Sequence, residues 1–210
     1  MKLKNLILVD HPLAQRDLTI LRDKKTTSLE FRNSIRRISS VLITAVSKNF
    51  EVKKVKVDTP LEKTTGYELK HQIVIVPVLR AGLSLVESFL EMIPDAKVGH
   101  IGIYRNEETL QPVDYYLKLP RNIGVAKVLI IDPMLATGGS ASAAIQFLKD
   151  RGAKDITLVC LLAAPEGVST VNKNHKDVKI YSIALDRELN FRGYILPGLG
   201  DAGDRTFGTI

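Results

Sequence analysis

In Val128–Ser140, VLIIDPMLATGGS, a hydrocarbon run meets one carboxylate, Asp132, and then a turn of Thr137, Gly138, Gly139 and Ser140. Successive backbone N–H groups in such a turn, with hydroxyls beside them at the start of a helix, form a cradle for a phosphate. Asp132 cannot serve that phosphate, because a carboxylate repels the dianion; it can accept hydrogen bonds from sugar hydroxyls. The segment therefore reads as a phosphate site with a ribose site beside it. The spacing of a Walker loop is absent, and no G-x-G-x-x-G of a dinucleotide-binding turn follows this strand.

Two arginines extend this chemistry. Arg80 and Arg105 each follow an apolar run, so both can stand at the sheet edge that carries the 132–140 loop, and a planar guanidinium fork suits phosphate oxygens. Arginine is more often a surface ion-pair partner, and only the strand-end placement favours diphosphate here. His11, His71, His100 and His175 have no metal-ligand spacing and no nucleophile beside them, which makes them structural or surface residues. Cys160, the only cysteine, lies in the apolar run 156–162 and reads as a buried structural thiol in a reducing compartment.

The 210 residues can bury a real core without disulfides. No apolar run reaches membrane-spanning length, and the N-terminus lacks the pattern of a cleaved leader, so a cytoplasmic protein without membrane contact is expected. The net charge of +7 is uneven: residues 1–70 hold 15 Lys and Arg against 8 Asp and Glu, whereas residues 71–210 hold 15 of each. These cations are scattered along amphipathic elements without aromatic platforms, which favours a solvated face over a nucleic-acid surface.

The elements that must position these residues follow from periodicity. Pro12 opens a short helix to Arg22, and Thr27-Ser-Leu-Glu30 has the spacing of a capping box before an amphipathic helix through Phe31, Ile35, Ile38, Leu42 and Ala45. Apolar strands are expected at 73–77, 98–104, 128–131, 156–162 and 180–185, with helices at 83–92 and 140–148 between them. Alternating strands and helices predict a parallel sheet covered on both faces, with ligands at the carboxyl ends of its strands. Residues 106–120 lack a period and read as a projecting hairpin or mobile flap, while five glycines and one proline forbid a long helix in 189–210.

Taken together, VLIIDPMLATGGS resembles the ribose-5-phosphate signature of the type I phosphoribosyltransferases, in the form of their uracil branch. VPVLRAGLSLVE (76–87) is similar to that family's pyrophosphate loop, GIYRNEETLQPVDYY (102–116) to its strand and flap, and YILPGLGDAGDRTFGT (194–209) to its base-binding hood. Most of the superfamily carries a second acid where this chain has Pro133. That departure argues against the hypoxanthine and orotate branches and leaves the acidic ribose contact to Asp132 alone.

The resemblance implies a Rossmann-like α/β fold in one domain, 1–210: an N-terminal extension of helices and strands (1–70), a core (71–185) with a flap at 106–118, and a hood (186–210). It implies a cis peptide at Leu79–Arg80, and a phosphoribosyl-diphosphate site of Arg80, Arg105, Asp132, Pro133, Met134, Leu135, Ala136, Thr137, Gly138, Gly139, Ser140 and Asp201. It implies a uracil site of Ile195, Gly200, Asp201 and Ala202, where main-chain N–H, C=O and N–H groups would match uracil and mismatch the amino group of cytosine. The expected reaction is uracil plus 5-phospho-α-D-ribose 1-diphosphate giving UMP and diphosphate. Mg²⁺ is expected on the diphosphate rather than in a protein-held metal site. No residues assign a general acid or base. A homodimer or larger homo-oligomer and a GTP effector are implied by the resemblance only. Two other readings stay open: a transferase for another base, and a phosphoribosyl-diphosphate-sensing regulator that binds nucleic acid through its basic first third.

Overall fold

A computed structural model describes residues 4–105 and 112–209, and the side chains of 104, 105 and 112–115 lie outside that description. In chain order the elements are β1 (Leu6–Leu8), α1 (Pro12–Arg22), α2 (Ser28–Ser47), β2 (Val52–Asp58), β3 (Lys63–Leu69), β4 (Ile73–Leu79), α3 (Leu83–Met92), β5 (Lys97–Val98), β6 (His100–Arg105) and β7 (Pro112–Lys118). There follow β8 (Lys127–Ile131), β9 (Met134–Leu135), α4 (Gly139–Asp150), β10 (Asp155–Ala163), α5 (Pro165–Asn174), β11 (Lys179–Leu185), β12 (Glu188–Leu189), β13 (Ile195–Leu196) and α6 (Ala202–Phe207).

The central sheet runs β1-β11-β10-β8-β4-β6-β7, with β5 beside β4 and β9 beside β10. Every pairing in it is parallel except β6 with β7. Its inner strands are hydrocarbon on both faces, as a doubly covered parallel sheet requires. Ile73, Ile75, Leu129, Ile131, Val159 and Leu161 face α1, α2 and α3 through Leu21, Ile35, Leu42, Leu85 and Phe89. Their neighbours Val74, Val76, Val128, Ile130, Leu158 and Cys160 face α4 and α5 through Ala144, Ile145, Leu148, Val168 and Val171. Each such fully buried side chain contributes about 1.5–3 kcal/mol, so two faces of this kind hold the strand ends firmly in place.

The helix signals read from sequence act as expected. Pro12 stands in the first turn of α1. Thr27 Oγ1 accepts from Glu30 N at 3.3 Å and a Glu30 carboxylate oxygen accepts from Thr27 N at 3.4 Å, so the capping box is closed. Cys160 is fully buried, and burial pushes its thiol up to about 12. Among the described residues no helix is long and apolar enough to cross a membrane.

Several details differ from expectation. The run at 98–104 is broken at Gly99, whose N–H donates to Ile75 O at 2.9 Å, and both pieces pair with β4. Of the expected flap, 112–118 form a strand antiparallel to β6, while 106–111 lie outside the described residues. The β2–β3 hairpin was not singled out in the sequence. Nearly all its side chains are exposed, so it shows no buried face that would produce an apolar alternation. Helix α5 also went unread: it is short and carries Gly167 and the β-branched Val168, Thr170 and Val171.

Candidate active site

β4 and β8 are neighbours, yet the chain leaves them in opposite directions. From β4 it passes through α3 to β6 on one side, and from β8 through α4 to β10 on the other. α3 packs on one face of the sheet and α4 on the opposite face. Diverging connections at such a switch point leave a crevice beyond the strands' carboxyl ends, where α/β folds bind ligands. A cavity of about 340 Å³ opens there, and Ala81, which follows β4, and Asp132, which follows β8, both line it.

The opening segment is more structured than a strand, a turn and a helix. Asp132 and Pro133 interrupt β8, and β9 then rejoins the sheet beside β10 before the turn at 136–138 and α4. Pro133 O accepts from Leu161 N at 3.0 Å and Leu135 O accepts from Ala164 N at 2.9 Å, so these two residues anchor the loop through their backbone. Asp132 is half-buried, and burial pushes its carboxyl up to about 7 against a weak opposing hydrogen bond from Met134 N. Around neutrality it is poised between charged acceptor and neutral acid. Gly138 adopts φ +80°, and a Cβ there would lie 2.7 Å from Gly167 O, so the turn can press against α5 only as glycine. Thr137 and Ser140 remain exposed at the head of α4.

The opposite wall of the cavity comes from the end of the chain. β12 and β13 form a small antiparallel pair that projects Arg192, Gly193 and Tyr194 to the cavity, and Ile195 continues the lining. After a cis Leu196–Pro197 bond the chain turns through Gly198 (φ +65°) and Gly200 (φ +82°) into α6. Asp201 caps that helix, its Oδ1 accepting from Asp204 N at 2.9 Å. Gly200, Asp201, Ala202 and Gly203 complete the lining.

All four residues expected at the base, Ile195, Gly200, Asp201 and Ala202, therefore meet in one cavity with Asp132, Met134 and Ala136. Pro133 and Leu135 are instead buried backbone anchors, and Gly138 is packed beneath the turn. Thr137, Gly139 and Ser140 lie outside the lining, although Thr137 Cγ2 is only 3.6 Å from where a Cβ of Gly193 would stand. The Leu79–Arg80 bond is cis, as the resemblance implied. Arg80 reaches across to α6, its Nη2 donating to Asp204 Oδ1 at 3.3 Å, and Asp204 is held below the usual carboxylate range by Thr209 and then Arg80. Arg105 ends β6, and its side chain is outside the described atoms. Sequence reasoning missed Ala81, Arg192, Gly193 and Tyr194 as lining residues; Ala81 and Tyr194 stood inside motifs already singled out, while nothing marked Arg192 beyond its place in the tail.

A family model described as uracil phosphoribosyltransferase matches residues 8–209. The chain belongs to the uracil phosphoribosyltransferase family. A uracil phosphoribosyltransferase of Dictyoglomus thermophilum is 55% identical over 204 residues, covering 97% of this chain and 99% of its own. One from Salinibacter ruber is 49% identical, with 99% of both chains covered. A solved protein from Aquifex aeolicus superposes with a TM-score of 0.90 at 37% identity, over 96% of this chain and 97% of its own. A purine phosphoribosyltransferase from Pyrococcus horikoshii shares the fold alone, with a TM-score of 0.53 at 17% identity over 74% of this chain and 84% of its own. Within the uracil phosphoribosyltransferase family, the sequence-based assignment of fold and branch stands.

Proposed function

We propose that this chain transfers the phosphoribosyl group of 5-phospho-α-D-ribose 1-diphosphate to uracil, giving UMP and diphosphate. The observation that carries the reading is one cavity in which Asp132, Met134 and Ala136 stand against Ile195, Gly200 and Ala202. In this reading the turn at 137–140 cradles the 5-phosphate, ionised Asp132 accepts from the ribose hydroxyls, and Arg80 and Arg105 hold the diphosphate. Pro133, Met134, Leu135, Ala136, Gly138 and Gly139 shape that loop.

Cleavage at the anomeric carbon leaves positive charge on the ribose and negative charge on the diphosphate. Arginines and N–H groups aimed at the leaving group lower this barrier without a covalent nucleophile. The main chain at Ile195, Gly200 and Ala202 reads the acceptor, donor, acceptor edge of uracil. A flap at 106–118, as the resemblance implies, would exclude the water that otherwise hydrolyses the donor; residues 106–111 of it lie outside the described residues.

A metal ion carried on the diphosphate fits this donor set. Asp132 and Asp201 line the cavity, and among the described residues no group of three or more His, Cys, Asp or Glu could hold an ion alone. With Asp132 serving the ribose, Asp201 would share the ion with the diphosphate. Mg²⁺ bound in this way neutralises charge on the leaving group.

The division into an extension (1–70), a core (71–185) and a hood (186–210) assigns the donor to the core and the base to the hood. A homo-oligomer and a GTP effector rest on the resemblance alone, and a cytoplasmic location on the sequence pattern and the single buried cysteine. The deciding assay incubates labelled uracil with the donor and Mg²⁺, with and without GTP and against a panel of free bases. Labelled UMP is the expected product; turnover of another base in its place, or of none, overturns the reading.

A further inference from the structure

We propose that Arg22 and Asp186 are positioning residues for base recognition, through which the N-terminal helix α1 sets the main-chain geometry of the hood. The proposal rests on the hood being the base site.

Gly198 is gripped from both sides. Its N–H donates to Asp186 Oδ2 at 2.8 Å, and its carbonyl accepts from Arg22 Nη1 at 2.9 Å. The same guanidinium forks onto the carboxylate, Nη2 to Oδ1 at 2.6 Å and Nη1 to Oδ2 at 2.8 Å. The ring of bonds is shielded from water: Asp186 is 8% exposed and the Arg22 side chain 27%. Removing an ion pair from water costs several kcal/mol that mutual attraction offsets only with good geometry. Apolar packing would have closed this gap at less cost. What the pair adds is direction: it fixes both polar groups of a glycine that has no side chain to hold it and whose φ is +65°.

A second arginine repeats the arrangement one residue further on. Arg205 Nη1 donates to Leu199 O at 2.7 Å and also to Leu21 O, and its Nη2 donates to Asp23 O at 2.6 Å. Its guanidinium lies 4.4 Å over the Phe31 ring. Residues 21–23 at the end of α1 are thus stitched to 198 and 199, immediately before the cavity residues Gly200 and Ala202. α1 is itself fixed to α2, where Asp17, 1% exposed, accepts from Arg37 Nε at 2.9 Å.

Hydrogen bonds weaken steeply once donor and acceptor are misaligned, so a small rotation of the turn at 198–200 degrades every main-chain contact to the base together. Most of the donor side is held independently of this turn, by backbone bonds to β10, and its links to the hood are Asp201 and the exposed Arg80–Asp204 pair. Among the described residues Arg22 makes no hydrogen bond to β8, β9 or α4.

The test is Arg22→Lys, which keeps the charge but cannot fork onto the carboxylate while holding Gly198 O. The uracil KM should rise about tenfold while the donor KM stays within about twofold, and discrimination against cytosine should fall. Arg22→Ala should show a larger rise, so that lysine is a partial rescue. Asp186→Asn, which preserves shape, should show the same selective rise and carries the test if the lysine variant does not fold. Uracil and donor KM values rising together, or an unchanged uracil KM, overturn the proposal. If none of the three variants folds, the pair is a stability element and the proposal is also overturned. Failure of the base reading itself is distinguishable, because the unsubstituted enzyme would then not turn over uracil at all.

Discussion

The two walls of the cavity are built by different physics. The wall proposed for the donor, β8 through α4, hangs from strands buried on both faces, and its loop is held by backbone bonds to β10. The wall proposed for the base, 195–203, has buried apolar anchors in Ile195, Leu199 and Ala202, but its turn is held by the side chains of Arg22, from α1, and Arg205, from α6. A wall fixed by hydrocarbon packing tolerates polar substitutions nearby; a wall fixed by a few directional bonds does not. Donor affinity and base affinity should therefore respond to different substitutions.

The largest expected effect strikes the donor wall. Gly138→Val would place a side chain 2.7 Å from Gly167 O at a φ of +80°. Strain and overlap together cost about 4 kcal/mol, and donor-dependent kcat/KM should fall at least about a hundredfold. A urea midpoint and kinetics close to those of the parent protein would contradict the packing account of this wall. On the base wall, Ala202→Leu should cut uracil kcat/KM by about a hundredfold, since the site is 4% exposed and lines the cavity. Calorimetry should show donor binding nearly intact, and the opposite pattern would dissolve the distinction between the walls.

Asp132→Asn sharpens the comparison through pH. A carboxyl whose value is raised to about 7 keeps its proton in the folded chain after the unfolded chain has released it. Between pH about 4 and about 7 the folded state therefore binds more protons, and stability falls as pH rises through that window and then levels off. Asparagine removes this loss, so the variant should gain on the parent by up to about 4 kcal/mol at pH 8, less whatever water in the cavity relieves, and by almost nothing at pH 4. Denaturation at the two pH values measures it, and an equal gap at both would remove Asp132 from the account. Donor kcat/KM should nonetheless fall about ten- to a hundredfold, because the amide accepts ribose hydroxyls less strongly. The smallest effect belongs to Asp204→Asn. It releases Arg80 from an exposed pair, so the donor KM should drop by less than about fivefold and the change should fade at high salt.

Legibility in the sequence followed burial. Strands β4, β8, β10 and β11 were readable because each is a hydrocarbon run, and α1 through Pro12 and α2 through its capping box because those signals are local. The β2–β3 hairpin has no buried face and so no pattern to read. β9 was hidden because only two residues rejoin the sheet after Pro133. At the site, Asp132 and the glycine turn were visible as residue types, and Ile195, Gly200 and Ala202 through the family motif. The Arg22–Asp186–Gly198 ring was not, since its members are 164 and 176 positions from Arg22 and no local pattern links them.

That separation has a consequence for how the molecule loosens. Contacts that close long loops are late to form and are held by few bonds, so the hood should open as a local unit at a lower free energy than the sheet. In hydrogen exchange the amides of Gly198, Asp204 and Arg205 should lose protection together, ahead of those in β8 and β10. If the proposed assignment of the two walls holds, mild heating would make the protein indifferent to the base while it still gripped the sugar phosphate.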